Sequence, residues 1–164
     1  MKMKVVKKQT NSKLCFICGV ENPFGLQASF YEMENNTVVS FIEYKEIHQS
    51  YPLRTHGGLI SAILDEIAGR AIWIYEDVWG VTTNLNVKYR KPVPYGVKLK
   101  AVGEIIKNTS RAFVGVGKIY NMNGELLAEA EATYLKLPLD KISSGENHEE
   151  VNVYIPDDIT ELDV

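Results

Sequence analysis

The sequence predicts an α+β fold in which an antiparallel β-sheet packs against one long helix. The first observation is a helical pattern from His56 to about Tyr75, where apolar residues recur every three or four positions. The second is a set of six segments rich in β-branched, aromatic or alternating apolar residues, two before this helix and four after it. The third is that the connections in the second half are too short for crossover helices, so neighbouring strands run antiparallel.

Each strand is bounded by turn-forming residues. The hairpin before the helix consists of residues 26–33 and 37–44, which flank Glu34-Asn35-Asn36. The strands after the helix are predicted at 81–91, 97–107, 111–120 and 125–137. Segments rich in Pro, Gly, Ser and Asn separate these strands. The apolar stripe of the helix must cover one face of the resulting sheet.

Length and composition describe one globular domain with an uneven charge distribution. The chain has 164 residues, of which 45% are hydrophobic and 24% are charged. Its net charge is −3, but residues 142–164 hold seven carboxylates and no Lys or Arg. We therefore divide the chain into a basic N-terminal segment (1–14), a folded domain (15–140) and an acidic tail (141–164). The tail is expected either to be disordered or to lie over a partner.

These features exclude several function classes. The positive charge is mild and terminal, whereas nucleic-acid binding usually needs a basic face in the folded body, so we expect no nucleic-acid partner. No uncharged apolar run approaches the ~18 residues that a membrane span needs, so we expect no membrane partner either. The N-terminus lacks the apolar stretch of a secretory signal, and we expect a cytoplasmic protein.

The two cysteines, Cys15 and Cys18, form a Cys-x-x-Cys motif. A structural zinc site needs four ligands, which two cysteines of one chain do not supply. A redox Cys-x-x-Cys usually opens a helix, whereas Gly19 and the Asn, Pro and Gly residues after it indicate a loop. We interpret the pair as two reduced thiols in a loop and expect no metal site.

The N-terminus of the helix is a candidate site for polar chemistry. His56-Gly57-Gly58 opens it, and two glycines leave backbone N–H groups unobstructed at the positive end of the helix dipole. Such donors suit an anion, or a carbonyl oxygen that becomes an anion during acyl transfer. Alternatively, the glycines only permit a tight entry into the helix.

Asp65, on the same helix, is a candidate catalytic carboxylate. It lies on a face with small residues (Ser61, Ala62 and Gly69), so a ligand or another backbone can approach it closely. Glu66 has Arg70 at i+4, the spacing of an ordinary ion pair. The alternative for Asp65 is a solvated carboxylate on an amphipathic helix.

The distance between these two candidates indicates a dimer. Gly57 and Asp65 are eight residues apart, which places their backbones about 12 Å apart along the helix axis. One carbonyl group cannot contact both. If both serve one reacting carbon, Asp65 comes from a second subunit whose helix runs antiparallel across a two-fold axis.

Three motifs together resemble the hotdog-fold acyl-CoA thioesterases of the PaaI-like branch. They are Cys15-Phe-Ile-Cys-Gly with Asn22-Pro-Phe-Gly-Leu26, then His56-Gly-Gly-Leu-Ile-Ser-Ala-Ile-Leu-Asp65, then Thr82-Thr-Asn-Leu-Asn-Val-Lys-Tyr-Arg-Lys-Pro92. The resemblance spans about residues 15–137. It implies a hotdog fold, in which a curved antiparallel sheet wraps around the long helix and the subunits pair as homodimers that often assemble further into tetramers.

The resemblance also implies roles for individual residues in the hydrolysis of acyl-CoA. The amide of Gly57 polarises the thioester carbonyl, and Asp65 of the opposite subunit acts as general base or nucleophile. Thr82, or as a second choice Thr83, assists that carboxylate or its water. His56 holds the loop or the substrate by hydrogen bonds. The reaction expected from this resemblance uses no cofactor and no metal.

Several further residues are candidate substrate contacts. Gly58 is a possible second oxyanion donor, and Lys88 and Arg90 are placed to meet the phosphates of coenzyme A, unless they are ordinary exposed strand charges. Many relatives have an Asn six residues before the motif His, whereas this chain has Ser50 there, with Gln49 beside it. His48 is expected to be a partly exposed loop residue.

Two other functions remain open at this point. One is a non-catalytic hotdog protein that binds acyl-CoA or acyl-carrier protein, motivated by the missing Asn. The other is a hotdog hydratase, which is disfavoured because its motif places Asp and His differently. The acyl group itself is not predicted, since fold does not choose the acid.

Overall fold

The computed structural model describes residues 1–143 and 148–164, which form one eight-stranded sheet and one main helix. The strands are β1 (Lys2–Lys8), β2 (Tyr31–Met33), β3 (Val38–Glu43), β4 (Trp79–Tyr89), β5 (Lys98–Asn108), β6 (Ala112–Asn121), β7 (Leu126–Leu137) and β8 (Glu161–Asp163). The main helix, α1, spans Gly57–Arg70, and α2 spans Leu139–Ile142. Short 3₁₀ turns lie at Glu46–His48, Ala71–Ile74 and His148–Val151.

All neighbouring strands of the sheet are antiparallel, in the order β4-β7-β6-β5-β3-β2-β1-β8. The sheet is curved around α1, which confirms the predicted fold class. The predicted helix is confirmed, since α1 continues directly into the 3₁₀ turn at Ala71–Ile74. The four predicted strands after the helix are confirmed within two residues at each end. The predicted hairpin is present, although its first strand is only three residues long.

The main core lies between α1 and the inner face of the sheet. The helix contributes its fully buried apolar face, Ile60, Ile63, Leu64 and Ile67, and the sheet contributes residues such as Leu99, Ala101 and Ile119. Beneath the helix, the sheet positions Gly103, Gly115 and Gly117 have no side chain. A Cβ at Gly103 would lie 2.1 Å from the Ile67 carbonyl oxygen, and one at Gly115 would lie 2.4 Å from that of Ala68. The helix therefore lies closer to the sheet than any side chain there would permit.

The two ends of the chain add strands that the sequence analysis did not predict. Met3 and Val5 of β1 and Leu162 of β8 pack against a second apolar cluster, formed by Tyr31, Met33 and Val39. The acidic tail also meets the basic N-terminus, because Asp157 lies 2.9 Å from the Lys8 ammonium group.

The sequence pattern did not reveal these strands because β1 is lysine-rich and β8 has only three residues. Residues 144–147 of the predicted tail lie outside the described residues. The division into segments 1–14, 15–140 and 141–164 stays a prediction.

Within residues 1–143 and 148–164, no helix has the length and apolar character that crossing a membrane requires.

Candidate active site

The first turn of α1 leaves one backbone donor free. His56 is the N-cap, with φ −62° and ψ 133°, and its Nδ1 accepts a hydrogen bond from the Gly58 N–H at 2.9 Å. The His56 carbonyl oxygen accepts from the N–H groups of Leu59 and Ile60. The Gly57 N–H has no acceptor among the described residues. Of the two predicted oxyanion donors, Gly57 is thus available, whereas Gly58 is engaged by His56.

The loop that leads into α1 is fixed by His48, which the sequence analysis expected to be partly exposed. That expectation is wrong, because His48 is only 4% exposed. Its Nδ1 accepts from the Lys45 N–H at 2.9 Å, so its Nε2 is the nitrogen that donates to the Phe24 carbonyl oxygen at 2.7 Å. The His48 carbonyl oxygen in turn accepts from the His56 N–H at 2.9 Å. His48 therefore joins two loops and holds the start of the helix.

Two hydroxyl groups contact the carbonyl oxygen of Gly57. The Tyr89 hydroxyl lies 2.9 Å from the Gly57 carbonyl oxygen, and the Ser61 hydroxyl lies 3.0 Å from it. The two hydroxyl oxygens are 2.6 Å apart, so the three contacts among these oxygens share only the two hydroxyl hydrogens. The end of β4 is thereby tied to the first turn of α1. The sequence analysis assigned no role to Tyr89, although it lies within the Thr82–Pro92 motif.

The structure brings Asp65 and Thr82 together within one chain. The Thr82 hydroxyl donates to the Asp65 carboxylate, 2.9 Å from Oδ1 and 3.2 Å from Oδ2. On the backbone side, the buried Tyr134 hydroxyl donates to the Asp65 carbonyl oxygen at 2.6 Å. Tyr134 therefore fixes this turn of α1 against β7. Sequence reasoning missed Tyr134, because only the register of β4 and β7 places it beneath the helix.

A bulge in β4 determines which threonine faces the carboxylate. The register between β4 and β7 shifts between Thr82 and Asn84, so Thr83 is the extra residue. The Thr83 hydroxyl donates to the Thr133 carbonyl oxygen at 3.1 Å. Thr82 is thus the hydroxyl at Asp65, and Thr83 is bound to the neighbouring strand.

The surroundings of Asp65 favour a basic carboxylate. Burial disfavours the charged form and raises the pKa of Asp65 above its usual range, while the hydrogen bond from Thr82 acts in the opposite direction. Burial is the larger effect, and the nearby charge of Glu66 adds to it. A carboxylate in this setting is a stronger base than one in water.

Asp65 lines a cavity of about 200 Å³. Its lining includes Thr82, Trp79, Phe113 and Tyr134, together with Cys15, Cys18 and Glu66. His56 and Gly57 do not line it. Within one chain, the carboxylate and the free amide therefore face different spaces, as their spacing along α1 requires.

The remaining predicted contacts do not converge on Asp65. Ser50 is exposed in the loop before the helix, and its N–H donates to the Arg54 carbonyl oxygen. The Arg90 guanidinium forms an ion pair with Glu129, a bond that lowers the pKa of Glu129. Lys88 lies opposite Glu129 in the strand register. Any phosphate at this end of β4 would have to compete with Glu129 for the Arg90 guanidinium.

Comparisons with known proteins agree with this fold. A sequence model of the thioesterase superfamily matches residues 54–128, which include α1, β4, β5 and β6. Residues 54–128 thus resemble this superfamily in sequence, and the curved antiparallel sheet around α1 is the hotdog fold.

Curated relatives with sequences similar to the chain include two acyl-coenzyme A thioesterases. Acyl-coenzyme A thioesterase THEM4 from Mus musculus is 28% identical over 137 residues, which are 82% of this chain and 59% of that protein. The Rattus norvegicus protein is 27% identical over the same coverage. The chain thus spans less than two thirds of the length of these relatives.

The structural matches extend over most of the chain. A thioesterase superfamily protein has a TM-score of 0.69 at 22% identity, covering 74% of this chain and 63% of that one. A Bacillus halodurans protein crystallised with CoA has a TM-score of 0.61 at 25% identity, covering 69% of this chain and 76% of that one.

The His56 cap generates the first prediction. Replacing His56 by Ala removes the acceptor for the Gly58 N–H, and we expect the free energy of unfolding to fall by about 1 kcal/mol. Asn is a good N-cap residue, so His56→Asn should retain most of the wild-type stability. Urea denaturation of the wild type, His56→Ala and His56→Asn measures the free energy of unfolding of each. Equal stability of wild type and His56→Ala would show that the cap observed here contributes nothing.

Proposed function

We propose that this protein is an acyl-CoA thioesterase, which hydrolyses a thioester to a free acid and coenzyme A. The observation that carries the proposal is the Asp65 carboxylate, half-buried in a cavity and bound by the Thr82 hydroxyl. The free Gly57 N–H at the start of α1 is the second component. The THEM4 relatives are named acyl-coenzyme A thioesterases, and one similar structure was crystallised with CoA. Placement in the PaaI-like branch rests on the three sequence motifs.

In the proposed reaction, the Gly57 N–H donates a hydrogen bond to the thioester carbonyl oxygen. It acts at the positive end of the α1 dipole, where negative charge on that oxygen is stabilised. Asp65 takes a proton from water as the water attacks the carbonyl carbon, or attacks that carbon itself. The tetrahedral intermediate then collapses and expels the coenzyme A thiolate. Where Asp65 is the nucleophile, this leaves a mixed anhydride between Asp65 and the acyl group, which water hydrolyses to release the free acid. Thr82 orients the carboxylate, and His56 holds the amide-bearing turn.

The site is proposed to form between two copies of the chain. Gly57 and Asp65 of one chain are about 12 Å apart along α1, too far for one acyl group. β4 is an edge strand of eleven residues, and most of them are exposed. A long exposed edge invites pairing with another strand. Antiparallel pairing of two β4 strands makes the sheets continuous and sets the α1 helices side by side, so that Asp65 of one copy approaches Gly57 of the other.

We further propose that the dimers assemble into tetramers and that Lys88 and Arg90 contact the phosphates of coenzyme A. The same proposal includes no nucleic-acid partner and no membrane partner. It also places the protein in the cytoplasm. The sulfurs of Cys15 and Cys18 lie within 4.8 Å of each other as free thiols, which fits a reducing compartment.

One observation favours a second candidate, a non-catalytic protein that binds acyl-CoA or acyl-carrier protein. Where the resemblance leads us to expect an Asn near the thioester, this chain has Ser50, which is exposed. Tight binding of acyl-CoA by calorimetry, with no thiol release from short, medium, long or aromatic acyl groups, would select this function.

The role of Asp65 is tested by Asp65→Asn, which keeps the shape but removes the base. We expect kcat for thiol release from acyl-CoA to fall by about 10³-fold, with the fold retained. Asp77→Asn is the matched control, because Asp77 is exposed in the loop between α1 and β4. Its kcat should equal that of the wild type. An undiminished rate in Asp65→Asn would remove Asp65 from the mechanism.

The role of the Gly57 amide is tested by Gly57→Pro, which deletes this N–H. Proline is favoured at the first position of a helix, and the extended conformation of His56 suits the residue before a proline. The helix should therefore survive, while kcat falls by about 10²-fold or more. Gly57→Ala keeps the N–H, and its added Cβ would lie 3.4 Å from the Tyr89 hydroxyl, an ordinary contact. If the two variants lose equal activity, the N–H is not the oxyanion donor.

A further inference from the structure

Three potential metal ligands meet at one wall of the cavity. The sulfurs of Cys15 and Cys18 and a carboxylate oxygen of Glu66 all lie within 4.8 Å of one another. The cysteines belong to the loop before β2, whereas Glu66 is on α1, 48 residues after Cys18. Sequence spacing alone indicated only two ligands. The third appears when the helix is packed beneath the loop.

The loop holds both sulfurs with backbone donors. The N–H groups of Ile17 and Cys18 point at the Cys15 sulfur, at 3.3 and 3.5 Å. The Ser12 N–H donates to the Cys18 sulfur at 3.3 Å, and the Ser12 hydroxyl lies 3.1 Å from it. The turn is closed tightly, since a Cβ at Gly19 would lie 2.3 Å from the Cys15 carbonyl oxygen. Hydrogen bonds from N–H groups stabilise negative charge on sulfur, so these donors would support two thiolates once a bound cation neutralises them.

Charge balance favours a divalent ion at this position. Two thiolates and the Glu66 carboxylate have a total charge of −3. The buried Arg70 guanidinium lies 2.7 Å from one oxygen of Glu66 and packs over the Phe30 ring. A divalent cation together with Arg70 contributes +3, which makes this partly buried cluster neutral. The ion pair with Arg70 also orients the carboxylate, as outer partners of metal ligands do.

We propose that Cys15, Cys18 and Glu66 bind one Zn²⁺ ion through two thiolates and one carboxylate oxygen. Zinc accepts this combination of sulfur and oxygen ligands. Tetrahedral zinc bonds place two sulfurs about 3.8 Å apart and a sulfur and an oxygen about 3.5 Å apart, within the observed spread. Each thiol releases its proton to solvent on binding. The three residues all line the cavity, so the fourth ligand is water or another molecule in it.

This site does not depend on the proposed thioesterase activity. A bound ion would fasten the loop that contains Cys15 and Cys18 to α1, one residue from Asp65. The chemical class of the ligand is a divalent metal ion of borderline softness, and zinc is the ion that two thiolates and one carboxylate favour.

The experiment measures metal binding by the full chain, purified under reducing conditions. Zinc content is determined after desalting, and Co²⁺ is titrated into metal-free protein. We expect one metal ion per chain and a thiolate-to-cobalt charge-transfer band in the near ultraviolet. The double variant Cys15→Ala with Cys18→Ala should lose the band, and Glu66→Gln should weaken Co²⁺ binding at least about ten-fold. Glu46→Gln, an exposed acid elsewhere, should bind like wild type.

Two outcomes would overturn the proposal. One is the absence of bound metal and of the charge-transfer band in the folded wild-type chain. The other is equal metal binding by the double cysteine variant, which would mark the metal as adventitious. Circular dichroism establishes that each variant is folded. If Glu66→Gln does not fold, the double cysteine variant and the wild-type spectrum still decide whether the metal binds at the two cysteines.

Discussion

The close packing of α1 against the sheet positions both the core and the candidate site. Gly103 and Gly115 allow the carbonyl oxygens of Ile67 and Ala68 to pack directly against β5 and β6. Larger residues there would lift the helix and move everything attached to it. At this depth Tyr134 can bond the Asp65 carbonyl oxygen, and β4 passes near enough for a threonine to reach the carboxylate. The packing of the core therefore also determines the geometry of the candidate site.

The same helix separates the two groups that the proposed chemistry needs. Its first turn, held by His56 and Tyr89, presents a free amide at the positive end of the dipole. Two turns later, burial makes Asp65 a stronger base, and Thr82 keeps it oriented. Because the helix is rigid, no motion within one chain brings these groups to one carbon. The exposed edge of β4 supplies the means by which a second copy would do so.

The sequence was sufficient for the fold and for part of the site. Helical and strand periodicity identified α1 and the four strands after it, because these elements bury one clear face. The strands at the two ends were missed, since one is lysine-rich and the other is three residues long. The pairing of Thr82 with Asp65 was expected from a family resemblance, and periodicity alone did not indicate it. Contacts that depend on strand register, such as Tyr134, or on a helix packing against a remote loop, such as Glu66, have no local signal in the sequence.

We propose that the amide of one subunit and the carboxylate of its partner act on the same acyl group. The most direct measurement mixes two inactive proteins, Asp65→Asn and Gly57→Pro, by refolding them together in equal amounts. Half of the resulting dimers are mixed, and each contains one intact site, so thiol release should return to about one quarter of the wild-type rate. Native mass spectrometry verifies that mixed dimers have formed. Mixed dimers no more active than the parent variants would contradict a site shared between two subunits.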